Sequence, residues 1–202
     1  MPEAPAEVAY LFGYGSLVAM KDELTLEGRA WPPVPGRLRD YRRYWGAAMN
    51  NWEATPLQKH FLDPDSGEQL RIRVAYLDIE EERGRTVNGL AIPVDRGRLA
   101  EFDQREMNYL RIDVSDAFEP ALPRPVFAYR ATEEARERCR HHPDAEVFVS
   151  SDYVAAVRRA FAELGEGTLE EFERSTDPLE FPQRHLRLVY PPPAGPGGKL
   201  PY

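Results

Sequence analysis

The sequence predicts an α+β fold built on a mixed sheet able to close into a barrel, and three observations carry that prediction. Strand-like segments dominate the first two-thirds of the 202 residues, helical spacing takes over in the last third, and strands and helices do not alternate as in a doubly wound domain. At 42% hydrophobic and 11% aromatic, the chain is sized for one globular domain with a substantial core.

The first element is a strand. Val8, Ala9, Tyr10, Leu11 and Phe12 have the β-branched and aromatic content of a buried strand, and the glycines of "YLFGYGSL" mark where it stops or bends. Two readings fit Gly13-Tyr14-Gly15-Ser16. One is a plain turn; in the other, main-chain N–H groups uncovered by Cβ atoms face an anion or a developing oxyanion. "AMKDELTLEGRAWPPVPG" reads as a loop with at most a short helix, because Pro32, Pro33 and Pro35 forbid a long one.

"RLRDYRRYWGAAM" is extended. Its arginines, Arg37, Arg39, Arg42 and Arg43, alternate with Tyr41, Tyr44 and Trp45 and are expected on a solvated strand face, paired with acidic residues. "DPDSGEQ" is a turn; it begins like a calcium loop, but Val74 stands where a bidentate Glu is needed and Pro64 intrudes, so no metal is expected. "LRIRVAYLDIE" and "TVNGLAIPV" are two further strands, and Asp95 is expected to cap a helix running through Glu106. "YLRIDV" and "RPVFAYR" return to strand. From Ser150, Tyr153, Val157, Phe161 and Leu164 recur at helical spacing, with Ser151 or Asp152 as cap and Gly165 as stop, and a shorter helix, "TLEEFERST", follows. Residues 1–190 form one domain on this reading, and the Pro/Gly-rich 191–202 form a surface or flexible tail.

Composition narrows the function. A net charge of −8 with pI near 5.2 argues against a nucleic-acid surface. No stretch approaches the ~20 apolar residues of a membrane span. The acidic start "MPEAPAEV" is unlike a signal peptide, and the lone Cys139 precludes an intramolecular disulfide, so a cytoplasmic protein is expected. That cysteine reads as an incidental thiol rather than a tuned nucleophile, although Arg138 and Arg140 would lower its pKa. His141, His142, Asp144 and Glu146 lack metal-site spacing, and Ser16 lacks the elbow motif and an identifiable histidine partner of a serine hydrolase.

One acidic residue stands out. In "DRGRLAEFDQREM", Leu99 and Phe102 share a helix face, and Glu106, seven and four residues further on, continues it. Burial would raise its pKa into the range of a general acid or base; the alternative is a last-turn Glu paired with Arg105 or Arg111.

Three blocks, "FGYGSL", "FDQREMNYLRIDV" and "SSDYVAAV", in this order and separation, resemble the γ-glutamylcyclotransferase superfamily over about residues 8–175. The resemblance implies a small mixed β-barrel with flanking helices and a cofactor-free, metal-independent reaction on a small γ-glutamyl substrate. The α-amine attacks the side-chain carbonyl, forming 5-oxoproline and releasing an amine or amino acid. Carried over by motif, Glu106 is the acid/base, Leu11, Phe12, Gly13, Tyr14, Gly15 and Ser16 hold the glutamyl group, and Tyr153 adds a hydroxyl. Met107 and Asn108 depart from the glycines found after the catalytic Glu in branches of that superfamily, so the reaction class is implied but the leaving group, whether from glutathione, a γ-glutamyl amino acid or a γ-glutamylamine, is open. A non-catalytic binding module of the same fold is the other reading.

Overall fold

The structure is a computed structural model that describes residues 8–24, 31–53, 59–140 and 145–189. The expected tail, 191–202, and the pair His141 and His142 lie outside these residues. Two long strands form the spine: β2 (Val34–Asn50) and β4 (Arg73–Asp95) pair antiparallel from Val34↔Ala91 to Asn50↔Arg73. β1 (Val8–Gly13) lies antiparallel on β4 and parallel to β7 (Val126–Ala131), which carries β5 (Tyr109–Asp113). With β6 (Phe118–Glu119) beside β2, the order is β5-β7-β1-β4-β2-β6. β8 (Val147–Ser150) adds parallel to β4, and β9 (Gln183–Arg184) to β8. The result is a mixed sheet curled as a half-barrel. A separate two-stranded sheet pairs β3 (His60–Leu62) with β10 (Arg187–Val189).

Where two strands were expected between Arg71 and Val94, the chain makes one, with a bulge. Tyr41 pairs with Glu81 but Arg39 with Thr86, so four β4 residues stand opposite Asp40 alone. Asp40 and Gly84 take positive φ, and the Asp40 carboxylate accepts from the Gly84 N–H at 2.7 Å, closing the bulge. Such irregularities increase local twist and help a sheet to curl.

Helices cover the sheet. α1 (Ser16–Ala19) packs on α5 (Ser151–Ala162); α6 (Thr168–Ser175) packs on β4, and α4 (Glu133–Arg140) on β2. α2 (Lys21–Leu24) is a single turn. Asp95 caps as expected, accepting from Gly97, but it opens a 3-10 turn that leads into α3 (Leu99–Arg105). The cap of α5 is Ser150 rather than Ser151 or Asp152: it is the last extended residue, and its hydroxyl accepts from the Tyr153 N–H. α4 escaped the sequence reading because its buried side chains are Ala135, Arg136 and Cys139, a mixture that shows no apolar stripe. Burial pushes the Cys139 thiol up to about 12, opposite to the expected effect of its arginine neighbours.

The arginine strand is only partly solvated. Arg39 pairs with Glu119 at 2.8 Å, Arg42 with Glu80 at 2.6 Å, and Arg37 with Glu171. Arg43 is the exception, with 0% exposure. Its guanidinium donates to the carbonyls of Tyr14, Asn88 and Phe172 and to the side-chain oxygens of Asn88, Ser175 and Thr176, all at 2.7–3.1 Å. It also lies over the Phe172 ring at 4.1 Å and the Phe161 ring at 5.2 Å. Strand pleat explains the divergence: Arg42 and Arg43 are consecutive and point to opposite faces. Among the described residues, no helix is long and apolar enough to cross a membrane.

Removing the guanidinium strands buried acceptors on β4, α6 and the loop after β1. Arg43→Met should therefore lower stability by about 3 kcal/mol in urea unfolding. Arg43→Lys should recover little, because an ammonium lacks the planar fork; a midpoint equal to that of the parent would show the network to be dispensable.

Candidate active site

The first strand ends against its neighbour. A Cβ at Gly89 on β4 would lie 2.3 Å from the Gly13 carbonyl oxygen, so the absence of a side chain there lets the end of β1 sit flush on the sheet. Tyr14 then turns inward: its hydroxyl donates to the Tyr129 carbonyl at 2.6 Å, and its own carbonyl is one of the Arg43 acceptors. At Gly15 a Cβ would meet the Tyr153 hydroxyl at 3.2 Å and the Leu77 side chain at 3.3 Å. Leu11, Phe12, Gly13, Tyr14 and Gly15 are all buried, and Ser16, opening α1, is the first exposed residue after them.

That serine faces a cavity of about 550 Å³. Glu106, Tyr153, Tyr109 and Tyr76 line it, together with Phe61 from β3 and Arg187 and Leu188 from β10. Tyr153, in the first turn of α5, is fixed by hydrogen bonds with the Ser16 side chain and the Leu77 main chain, and its ring meets Tyr76 edge-on at 5.1 Å. Burial raises its pKa, which keeps the phenol protonated. Tyr109 donates to the Leu77 carbonyl at 2.8 Å.

Glu106 occupies the C-cap of α3, where its N–H donates to the Phe102 carbonyl and its carbonyl accepts from Tyr109. The expected stripe is real: Leu99 and Phe102 are buried, and the Glu106 side chain is 21% exposed and lines the cavity. The sequence left two partners open. Arg111 goes to Asp103 at 3.2 Å, whereas Arg105 approaches Glu106 at 3.6 Å, a loose contact. Burial raises the Glu106 pKa, and the nearby charges of Arg105 and Lys59 oppose the rise without cancelling it.

Of the residues singled out in the sequence, the structure therefore brings Glu106, Ser16 and Tyr153 to one cavity. Leu11, Phe12, Gly13, Tyr14 and Gly15 are buried and do not line it. Tyr76, Tyr109 and Lys59 were missed. The tyrosines alternate with core residues in strands and carry no signal separate from packing, and Lys59 stands outside any motif. Among the described residues no group of three or more His, Cys, Asp or Glu could hold a metal ion.

No protein-family model and no curated protein sequence matches the chain. Solved structures do. A gamma-glutamyl cyclotransferase aligns with a TM-score of 0.53 at 17% identity, over 89% of this chain and 94% of that one. An uncharacterised protein from Homo sapiens aligns at 0.52 and 16%, with the same coverage. YkqA from Bacillus subtilis aligns at 0.53 and 17%, over 88% of this chain but 56% of its own length. The chain thus has the fold of γ-glutamyl cyclotransferases.

The Tyr153 hydroxyl links α1 to β4 beside the cavity. Tyr153→Phe should cost about 1 kcal/mol in thermal or urea unfolding, the worth of a typical hydrogen bond, and leave the far-UV spectrum unchanged.

Proposed function

We propose that this protein is a γ-glutamyl cyclotransferase, converting a small γ-glutamyl compound into 5-oxoproline and a free amine or amino acid. The observation that carries the reading is a recessed carboxylate, Glu106, in the same cavity as Ser16 and Tyr153, within the fold of a γ-glutamyl cyclotransferase. A cyclisation needs little beyond such a site. Folding the substrate so that its α-nitrogen meets its own Cδ carbonyl makes attack intramolecular, an advantage of roughly 7–11 kcal/mol in well-oriented systems.

Glu106, ionised, takes a proton from the substrate α-ammonium. The freed amine forms the new C–N bond, and the carbonyl becomes an oxyanion. In this proposal Ser16 and the Tyr153 hydroxyl, which line the cavity, meet the oxyanion or the glutamyl carboxylate, and the buried Leu11, Phe12, Gly13, Tyr14 and Gly15 anchor Ser16 there. Glu106 returns that proton to the departing nitrogen and relays a second from the attacking nitrogen, which still carries two hydrogens, as the old C–N bond breaks. One hydrogen stays on the lactam nitrogen, and the other two of the α-ammonium leave with the released amine. A raised carboxyl pKa suits this exchange because acceptor and donor roles alternate.

Two measurements test the reading. Glu106→Gln keeps size and removes the proton acceptor, so 5-oxoproline release should fall ~10²-fold or more while substrate binding persists. Undiminished release would exclude Glu106, and binding without release in the parent protein would leave a non-catalytic binding module. The second is pH dependence. Because the active form is ionised and burial raises its pKa, kcat/KM should decline as pH falls, with an inflection above the ordinary carboxyl value of 4.5.

A further inference from the structure

The cavity is larger than a glutamyl group requires; its ~550 Å³ lies within the ~300–1,000 Å³ of pockets that hold drug-sized ligands. The remainder has a distinct chemistry. Three of the four methionines of the chain, Met20, Met49 and Met107, line it, together with Phe61, Leu186 and Leu188. Among the described residues only three large apolar side chains are exposed, and two of them, Met107 at 44% and Leu188 at 40%, stand at this cavity. Apolar side chains gathered at one cavity beside a recessed acid suit a ligand-binding surface.

Charged groups line the cavity too, and Arg105 contacts the Met20 sulfur and approaches Glu106. Asp152 and His185 are about three-fifths exposed and pair with each other at 3.0 Å. Arg187 is exposed on β10. The Lys59 ammonium lies over the Tyr76 ring at 4.7 Å, and its field acts on Glu106. Thioethers are flexible and polarisable, so the surface left to the far half of a ligand is apolar and adaptable.

On the cyclotransferase reading, we propose that the half of the substrate released as free amine is hydrophobic: an apolar amine or an amino acid with a large apolar side chain. It lies against Met107, Leu188 and Phe61 while the glutamyl half faces Glu106. A small or acidic released group leaves this surface wet.

The test uses the full chain and four compounds: γ-glutamylphenylalanine, γ-glutamylhexylamide, γ-glutamylglycine and γ-glutamylglutamate. The first two should exceed γ-glutamylglycine in kcat/KM for 5-oxoproline release by about 10-fold or more, the scale at which apolar pockets discriminate. Equal values, or preference for γ-glutamylglutamate, would overturn the proposal. Leu188→Ser and Met107→Ser, both at exposed positions, should each reduce the phenylalanine-to-glycine ratio. If no compound is turned over, calorimetric binding of the same four decides separately. Tighter binding of the apolar pair sustains the hydrophobic site while the cyclotransferase reading falls, and equal or absent binding overturns the hydrophobic site as well.

Discussion

The buried guanidinium of Arg43 holds the molecule together around its cavity. It sits on β2, yet its donors reach the loop after β1, Asn88 on β4 and the end of α6, and two phenylalanine rings lie near it. Burial pulls its pKa down to about 9, which leaves it charged near neutrality. A cation surrounded by carbonyl and hydroxyl oxygens is satisfied only when every donor finds its acceptor. The position of the Tyr14 carbonyl, and hence the course of the chain into Ser16, is set by an interaction more than twenty residues away in sequence.

Two recessed carboxylates in this protein illustrate what separates support from chemistry. Asp78 is wholly buried and saturated: Arg136 and Tyr44 donate to one oxygen, the Ile79 and Ala131 N–H groups to the other. It ties α4, β2 and β7 to β4 and has no capacity left for a ligand. Glu106 is recessed too, but its side chain opens on a cavity and its arginine neighbour is beyond ideal hydrogen-bonding distance. Desolvation without saturation leaves a group able to exchange a proton.

Much of this was legible in the chain. Strand β1, its interruption at Gly13, the helices at 151–162 and 168–175, and the stripe leading to Glu106 follow from local pattern, because they rest on periodicities of two and 3.6. What pattern hid was of another kind. Arg43 sits among arginines that do face water, and nothing local separates it from Arg42. Asp78 and Arg136, nearly sixty residues apart, look like ordinary surface charges until the fold brings them together. The glycines at the end of β1 abut neighbouring protein, which the sequence does not show: at Gly15 the nearest groups to a Cβ are the Tyr153 hydroxyl and Leu77. Tyr76, Tyr109 and Lys59 reach the cavity through tertiary placement alone.

The two-stranded sheet of β3 and β10 has no strand in common with the eight-stranded one, although residues of both line the same cavity. Glu106, at the end of α3, thus stands on a different part of the scaffold from Phe61, Arg187 and Leu188. The lining on β3 and β10 can vary in sequence without altering the strand pairings of the larger sheet.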